Sequence, residues 1–101
     1  MAKPEEKRRN AADPEQVRKG AEKEESVRER ELNDLIIILS SEEGKRLVWR
    51  LLAHCGTFGS IWSPNAQIHY NSGKQDVGHF LMAEIVEAKP EALIDMMKNN
   101  Q

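Results

Sequence analysis

Residues 40–56 read Ser40-Ser41-Glu42-Glu43-Gly44-Lys45-Arg46-Leu47-Val48-Trp49-Arg50-Leu51-Leu52-Ala53-His54-Cys55-Gly56, a helix with both ends marked. Ser40-Ser41-Glu42-Glu43 pairs a hydroxyl with a glutamate three positions on, the capping-box pattern, which predicts a helix beginning near Glu42. Leu47, Val48, Leu51, Leu52 and Cys55 form a broad apolar face, and Gly56 suits a left-handed C-terminal cap. Lys45, Arg46 and Arg50 supply a basic outer face. Trp49 falls within the apolar face, so core packing is favoured for it over stacking on a bound base.

Upstream, Leu32, Leu35, Ile36 and Leu39 stand at i, i+3, i+4 and i+7, again helical spacing. Five consecutive apolar residues, Leu35 to Leu39, would also suit a buried strand. No other segment offers a partner strand of similar character, so helix is preferred. Ile37 and Ile38 then lie off the main stripe, which points to burial on several sides or contact with another chain.

Downstream, Thr57 to Asn65 reads as a loop whose aromatic residues, Phe58 and Trp62, are expected to cover the edge of the core. Asn65 suits a cap for a helix from Ala66 to about Ala88, with Val77, Leu81, Ile85 and Ala88 on one stripe. Asn71-Ser72-Gly73 either breaks that helix, or Gly73 and Gly78 admit close approach of the Trp49 helix; periodicity leaves both open. Pro90 opens a last helix carrying Leu93, Ile94, Met96 and Met97, with Lys98 suited to its C-terminal end. The expectation for residues 32–99 is an all-α domain, a small orthogonal packing or bundle of about four or five short helices.

Residues 1–31 are different material. The chain has 101 residues with 15 Lys plus Arg and 17 Asp plus Glu, and nine of each sign fall in this arm. Its only large apolar side chains beyond Met1 are Val17 and Val27, too few to offset the entropy of ordering. Asp13-Pro14-Glu15-Gln16 nonetheless reads as a cap, a proline and a polar first turn, so a fraying helix is expected there, with Glu15–Lys19 and Glu24–Arg28 as i,i+4 pairs. Such a helix would extend into the apolar segment after Glu31.

The net charge of −2 argues against bulk binding to nucleic acid or anionic lipid. The longest apolar run is far below the roughly 20 residues that span a bilayer. Met1 precedes a charged stretch with no apolar signal-peptide core, and the one cysteine, Cys55, has no partner for an internal disulfide, so a reducing cytoplasm is the default compartment.

Candidate chemistry is sparse. His54, Cys55, His69 and His79 are the available metal ligands, but adjacent His54 and Cys55 diverge by about 100° on a helix and no second thiolate exists. His69 and His79, nearly three helical turns apart, are too distant to share a metal. Cys55 at a helix C-terminus faces the end of the dipole that raises a thiol pKa, which disfavours a nucleophile. Gly73-Lys74 is followed by Gln75 and preceded, five positions earlier, by Ile68, so the phosphate-loop pattern fails. No paired carboxylates stand out as an acid–base site. Neither a metal, a cofactor nor an enzymatic activity is expected.

Residues 34–97 do carry a resemblance. The segments are Gly44-Lys45-Arg46-Leu47-Val48-Trp49, Cys55-Gly56-Thr57-Phe58, Asn71-Ser72-Gly73-Lys74, Val77-Gly78, Leu81-Met82-Ala83-Glu84-Ile85 and Pro90-Glu91 before Met96-Met97. In order and spacing they resemble the Bbp19-like small proteins of tailed bacteriophages. Where that family commonly has a second Gly-Arg-Arg-like stretch, this chain has Gly73-Lys74-Gln75, with half the basic charge. The resemblance implies a non-enzymatic structural or assembly protein, made in the bacterial host cytoplasm and carried in the virion, where it docks on a portal, tail or ejection component. A homo-oligomer within the particle is compatible with it. Ile37, Ile38, Lys45, Arg46, Arg50, Trp62 and Lys74 are the candidate partner-binding residues. The alternative is a soluble nucleic-acid-binding or regulatory adaptor using Lys45, Arg46 and Arg50.

Overall fold

A computed structural model describes residues 13–101; the charged residues before Asp13 lie outside them. The described residues form four helices and no strand: α1 (Pro14–Ile38), α2 (Glu42–His54), α3 (Gln67–Ala88) and α4 (Pro90–Asn99). The fold is all-α, as the spacing predicts. By contacts the chain divides into two units that meet between Glu31 and Leu32.

In the first unit, Asp13 Oδ1 accepts from Glu15 N at 3.1 Å, the expected cap. Residues 14–31 bury no side chain. Ion pairs along the helix surface hold them instead: Arg18 bridges Glu15 and Glu22, and Arg28 meets Glu31 at 3.2 Å. Glu15 thus pairs one turn on with Arg18, not with Lys19. Each such pair is worth only about 0.2–0.5 kcal/mol.

In the second unit, Leu39, Val48, Leu52, Ile85, Ala92 and Met96 form the buried core, flanked by Leu35, Trp49, Leu81, Met82 and Leu93. Leu39 sits in the turn just beyond α1, and α2, α3 and α4 pack on one another. The cap of α2 is Ser41, whose Oγ accepts from Gly44 N at 2.9 Å. That places Gly44 three residues after the cap, so the expected Ser40–Glu43 box gives way to a half-box; Ser40 Oγ donates to Ile36 O instead, at 2.7 Å. Gly44 is required here, because a Cβ would run into the Ile38 carbonyl where the chain turns from α1 into α2.

Several apolar expectations shift. Leu47 and Leu51 are 47% exposed while Val48 and Leu52 are buried, so the α2 face is narrower than the broad stripe. On α3 the buried line runs through Gly78 and Ile85, and Val77 is 59% exposed. The helix passes through Asn71-Ser72-Gly73 without a break. Gly73 faces open space, and the close approach belongs to Gly78, against Cys55 at the C-terminal cap of the Trp49 helix and against Thr57 just beyond it.

Candidate functional site

The segment between α2 and α3 is where the sequence builds something beyond a core. α2 ends in a paired turn: Thr57 N donates to Leu52 O and Gly56 N to Ala53 O, with Gly56 at φ 66°. This is the Schellman arrangement, and the positive φ explains the glycine. Thr57 is buried, and its hydroxyl also donates to Leu52 O, at 2.7 Å.

Three side chains of α3 then hold the loop by its carbonyls. His79 Nε2 stands 3.1 Å from Thr57 O, the geometry for the Nε2–H tautomer to donate. Gln75 Nε2 donates to Gly56 O at 2.9 Å and to Gly59 O at 2.8 Å. Asn71 Nδ2 donates to Ile61 O at 3.2 Å. Residues 71, 75 and 79 are spaced by four, so they share one helix face, and the loop runs antiparallel to α3 along them. Asn65 Oδ1 accepts from Gln67 N at 2.9 Å, so its side chain does meet the first helical residue, but α3 begins at Gln67 with Ala66, which makes no side-chain bond, in the cap position.

The clamped loop presents its aromatic tip outward. Trp62 is 72% exposed, so it does not cover the core edge as expected; its neighbour Ile61 carries the clamped carbonyl. Phe58 does cover, stacking on Trp49 at 5.5 Å between ring centroids. Pinning the backbone beside an exposed tryptophan lowers the ordering entropy that a docking contact must overcome.

The other candidate residues scatter. Ile37 and Ile38 are 62% and 46% exposed near the end of α1. Lys45 is not part of an outer basic face: its side chain is 17% exposed and its Nζ meets Asp95 at 2.6 Å and Glu42 at 3.0 Å. Hydrogen bonds to Asp95 and then Glu42 raise its pKa, and the hydrogen bond from Lys45 lowers that of Asp95. Arg46 and Arg50 remain exposed, with no ion pair among the described residues. Lys74 Nζ lies 5.0 Å from the centroid of the Tyr70 ring, a cation–π contact.

Comparison with known protein families, with curated proteins and with solved structures finds no match to this chain. The chemistry has therefore to be read from the side chains. Among the described residues no three His, Cys, Asp or Glu side chains cluster as a metal site would require. No buried side-chain nitrogen or oxygen among them lacks a hydrogen-bond partner. Among the described residues, open hollows include one of about 390 Å³ beside Lys45, Arg46 and Asn99 and one of about 150 Å³ beside Cys55, Ser60, Asn71 and Lys74. The larger is lined by the Lys45 that Asp95 and Glu42 hold, and the smaller by residues of the clamped loop and of α3.

The clamp was missed by sequence reasoning, which weighed His79 as a metal ligand, Asn71 as a helix break and Gln75 as a failed phosphate loop. The available signal was three amide or imidazole side chains at intervals of four, along the border of the apolar face.

Proposed function

We propose that this chain is a non-enzymatic structural or assembly protein of a tailed bacteriophage, docking on a larger particle component of the portal, tail or ejection machinery. The observation that carries the docking role is Trp62, largely exposed on a loop held by Asn71, Gln75 and His79. A tryptophan on a pre-ordered backbone is the kind of anchor around which interface energy concentrates. The assignment to a phage rests on the sequence resemblance over residues 34–97. Exposed Ile37 and Ile38 add apolar surface.

The reading as a nucleic-acid-binding or regulatory adaptor has less support, because Lys45 is committed to Asp95 and Glu42 and the basic strip reduces to Arg46 and Arg50. Two cations give a shallow salt dependence and weak phosphate binding. Among the described residues no helix is long and apolar enough to cross a membrane.

The test is mass spectrometry of purified particles and of assembly intermediates from the phage that carries the gene. The chain is expected in at least one of them, and in reduced amount for Trp62→Ala. Absence from both overturns the reading, and a salt-sensitive DNA mobility shift abolished by Arg46→Ala/Arg50→Ala would replace it with the adaptor.

A further inference from the structure

We propose that the small hollow between the clamped loop and α3 is a binding site for a tetrahedral oxoanion, either inorganic phosphate or the phosphate group of a small ester. The inference rests neither on the phage assignment nor on the docking role of Trp62, since it concerns the polar foot of the loop.

The hollow, of about 150 Å³, has room for one such ion, and the side chains around it carry donors and no carboxylate. Ser60 Oγ accepts from Trp62 N at 3.1 Å, which leaves the hydroxyl hydrogen to donate. Asn71 Oδ1 accepts from Gln67 Nε2 at 3.3 Å, and this fixes the amide with its nitrogen toward the loop. One hydrogen of that nitrogen goes to Ile61 O, and the other has no acceptor among the described residues. Lys74 is partly buried and makes no ion pair among the described residues; its Nζ lies over the Tyr70 ring. A surface cation–π contact is weak, so the ammonium can turn from the ring to an anion with little loss.

The surrounding sequence favours the same sign of charge. From Gly44 to Gln75 the chain has no Asp or Glu, although it holds 17 in all, and its cations over that stretch are Lys45, Arg46, Arg50 and Lys74. Lys45 is taken by Asp95 and Glu42, and Lys74 is the cation that borders this hollow. The C-terminal end of α2, at Cys55 and Gly56, opposes an anion through its partial negative charge. Its last carbonyls are already met, however: Leu51 O, Leu52 O and Ala53 O accept from Cys55 N, Thr57 N and Gly56 N, and the Thr57 hydroxyl adds a second donor to Leu52 O.

A tetrahedral oxoanion spreads its acceptors widely enough to meet a hydroxyl, an amide and an ammonium together, which a spherical halide does not. The donors are side chains rather than a run of backbone N–H groups, so the site is unlike a phosphate loop. With one cation and two neutral donors the affinity is modest, with a Kd of order 1–10 mM. Once bound, the ion would tie Ser60 on the loop to Asn71 and Lys74 on α3.

The experiment is a titration of the isotope-labelled full chain at neutral pH, followed by amide chemical shifts, with sodium phosphate, with glycerol phosphate and, at matched ionic strength, with sodium chloride. Both phosphates are expected to move the amides of Ser60, Ile61, Asn71 and Lys74 along a saturable curve, while chloride leaves them in place. Tighter binding of inorganic phosphate assigns the free ion as the ligand, and tighter binding of glycerol phosphate assigns the ester. Lys74→Gln should weaken binding about fivefold or more, and Lys74→Arg should retain it. Ser60→Ala, an exposed position, should weaken it by a smaller factor and carries the test should Lys74→Gln fail to fold by circular dichroism. No saturable shift up to about 50 mM phosphate overturns the proposal. So do shifts that chloride reproduces, shifts confined to Arg46 and Arg50, or a folded Lys74→Gln that binds as wild type does.

Discussion

Gly78 of α3 and Thr57 of the loop stand so close that the space a methyl group would need at Gly78 is already filled by the Thr57 hydroxyl, with Cys55 Cβ 3.0 Å away on another side. The loop can lie on the helix only because this position has no side chain. Gly78→Ala should therefore destabilise the fold by about 1–2 kcal/mol, crowding outweighing the gain in helix propensity. Urea unfolding reads the difference.

Gly73 is the opposite case on the same helix. With nothing within 4 Å, Gly73→Ala should stabilise by about 0.5–1 kcal/mol, through propensity and a stiffer unfolded chain. A midpoint that falls would contradict the unbroken helix through Asn71-Ser72-Gly73.

The two tryptophans should separate cleanly. Trp49 packs against the core and stacks on Phe58, so Trp49→Ala should cost about 2–3 kcal/mol. Trp62→Ala should stay within about 0.5 kcal/mol of wild type, being a surface change. Thermal unfolding followed by circular dichroism distinguishes them.

Lys45 and Asp95 tie α2 to α4. The carboxyl of Asp95 lies below its ordinary value, chiefly through the Lys45 hydrogen bond, so its contribution is present above about pH 4 and is lost as the pH falls through the lowered pKa. The amine of Lys45 lies above its ordinary value, so its contribution holds below that value and is lost as the pH rises through the raised pKa. Stability across the neutral range should be flat with respect to this pair. In Asp95→Asn, the acid limb of the stability profile should be shallower than in wild type.

Gln75→Ala removes both bonds to the loop carbonyls of Gly56 and Gly59. Hydrogen exchange at Gly59 and Trp62 should accelerate, with a stability loss of about 1–2 kcal/mol. Unchanged exchange there would mean that Asn71 and His79 hold the loop without it.

The local signals that the sequence carries are those of helix ends. Asp13-Pro14, the Ser40-Ser41 pair, Cys55-Gly56, Asn65 and Pro90 each act on backbone groups within a few residues, and all lie where helices start or stop in the structure. The phase of α3 was not legible, because apolar residues line it on several sides and periodicity has no single direction to find. Val77 looked like core, yet the loop claims the side of the helix that carries Gly78. Lys45 was misread for a related reason: its partner Asp95 is 50 residues away, and no spacing rule reaches that far. Of the candidate contact residues, Ile37, Ile38, Arg46, Arg50 and Trp62 are exposed, but the device that fixes the loop bearing Trp62 was visible only once α3 and the loop lay side by side.

Asn71, Gln75 and His79 follow one another at four-residue intervals, and the carbonyls of Ile61, Gly59 and Thr57 follow the loop in the reverse order, while the second Gln75 bond reaches past Thr57 to Gly56, so helix and loop engage like a zip with one tooth crossed. Displacing the Trp62 end loads Asn71 first and the Gln75 bond to Gly59 next, and leaves His79, the Gln75 bond to Gly56 and the buried Thr57 hydroxyl as the last to part. A pull on the tip would thereby be graded along the helix instead of being delivered at once to the core.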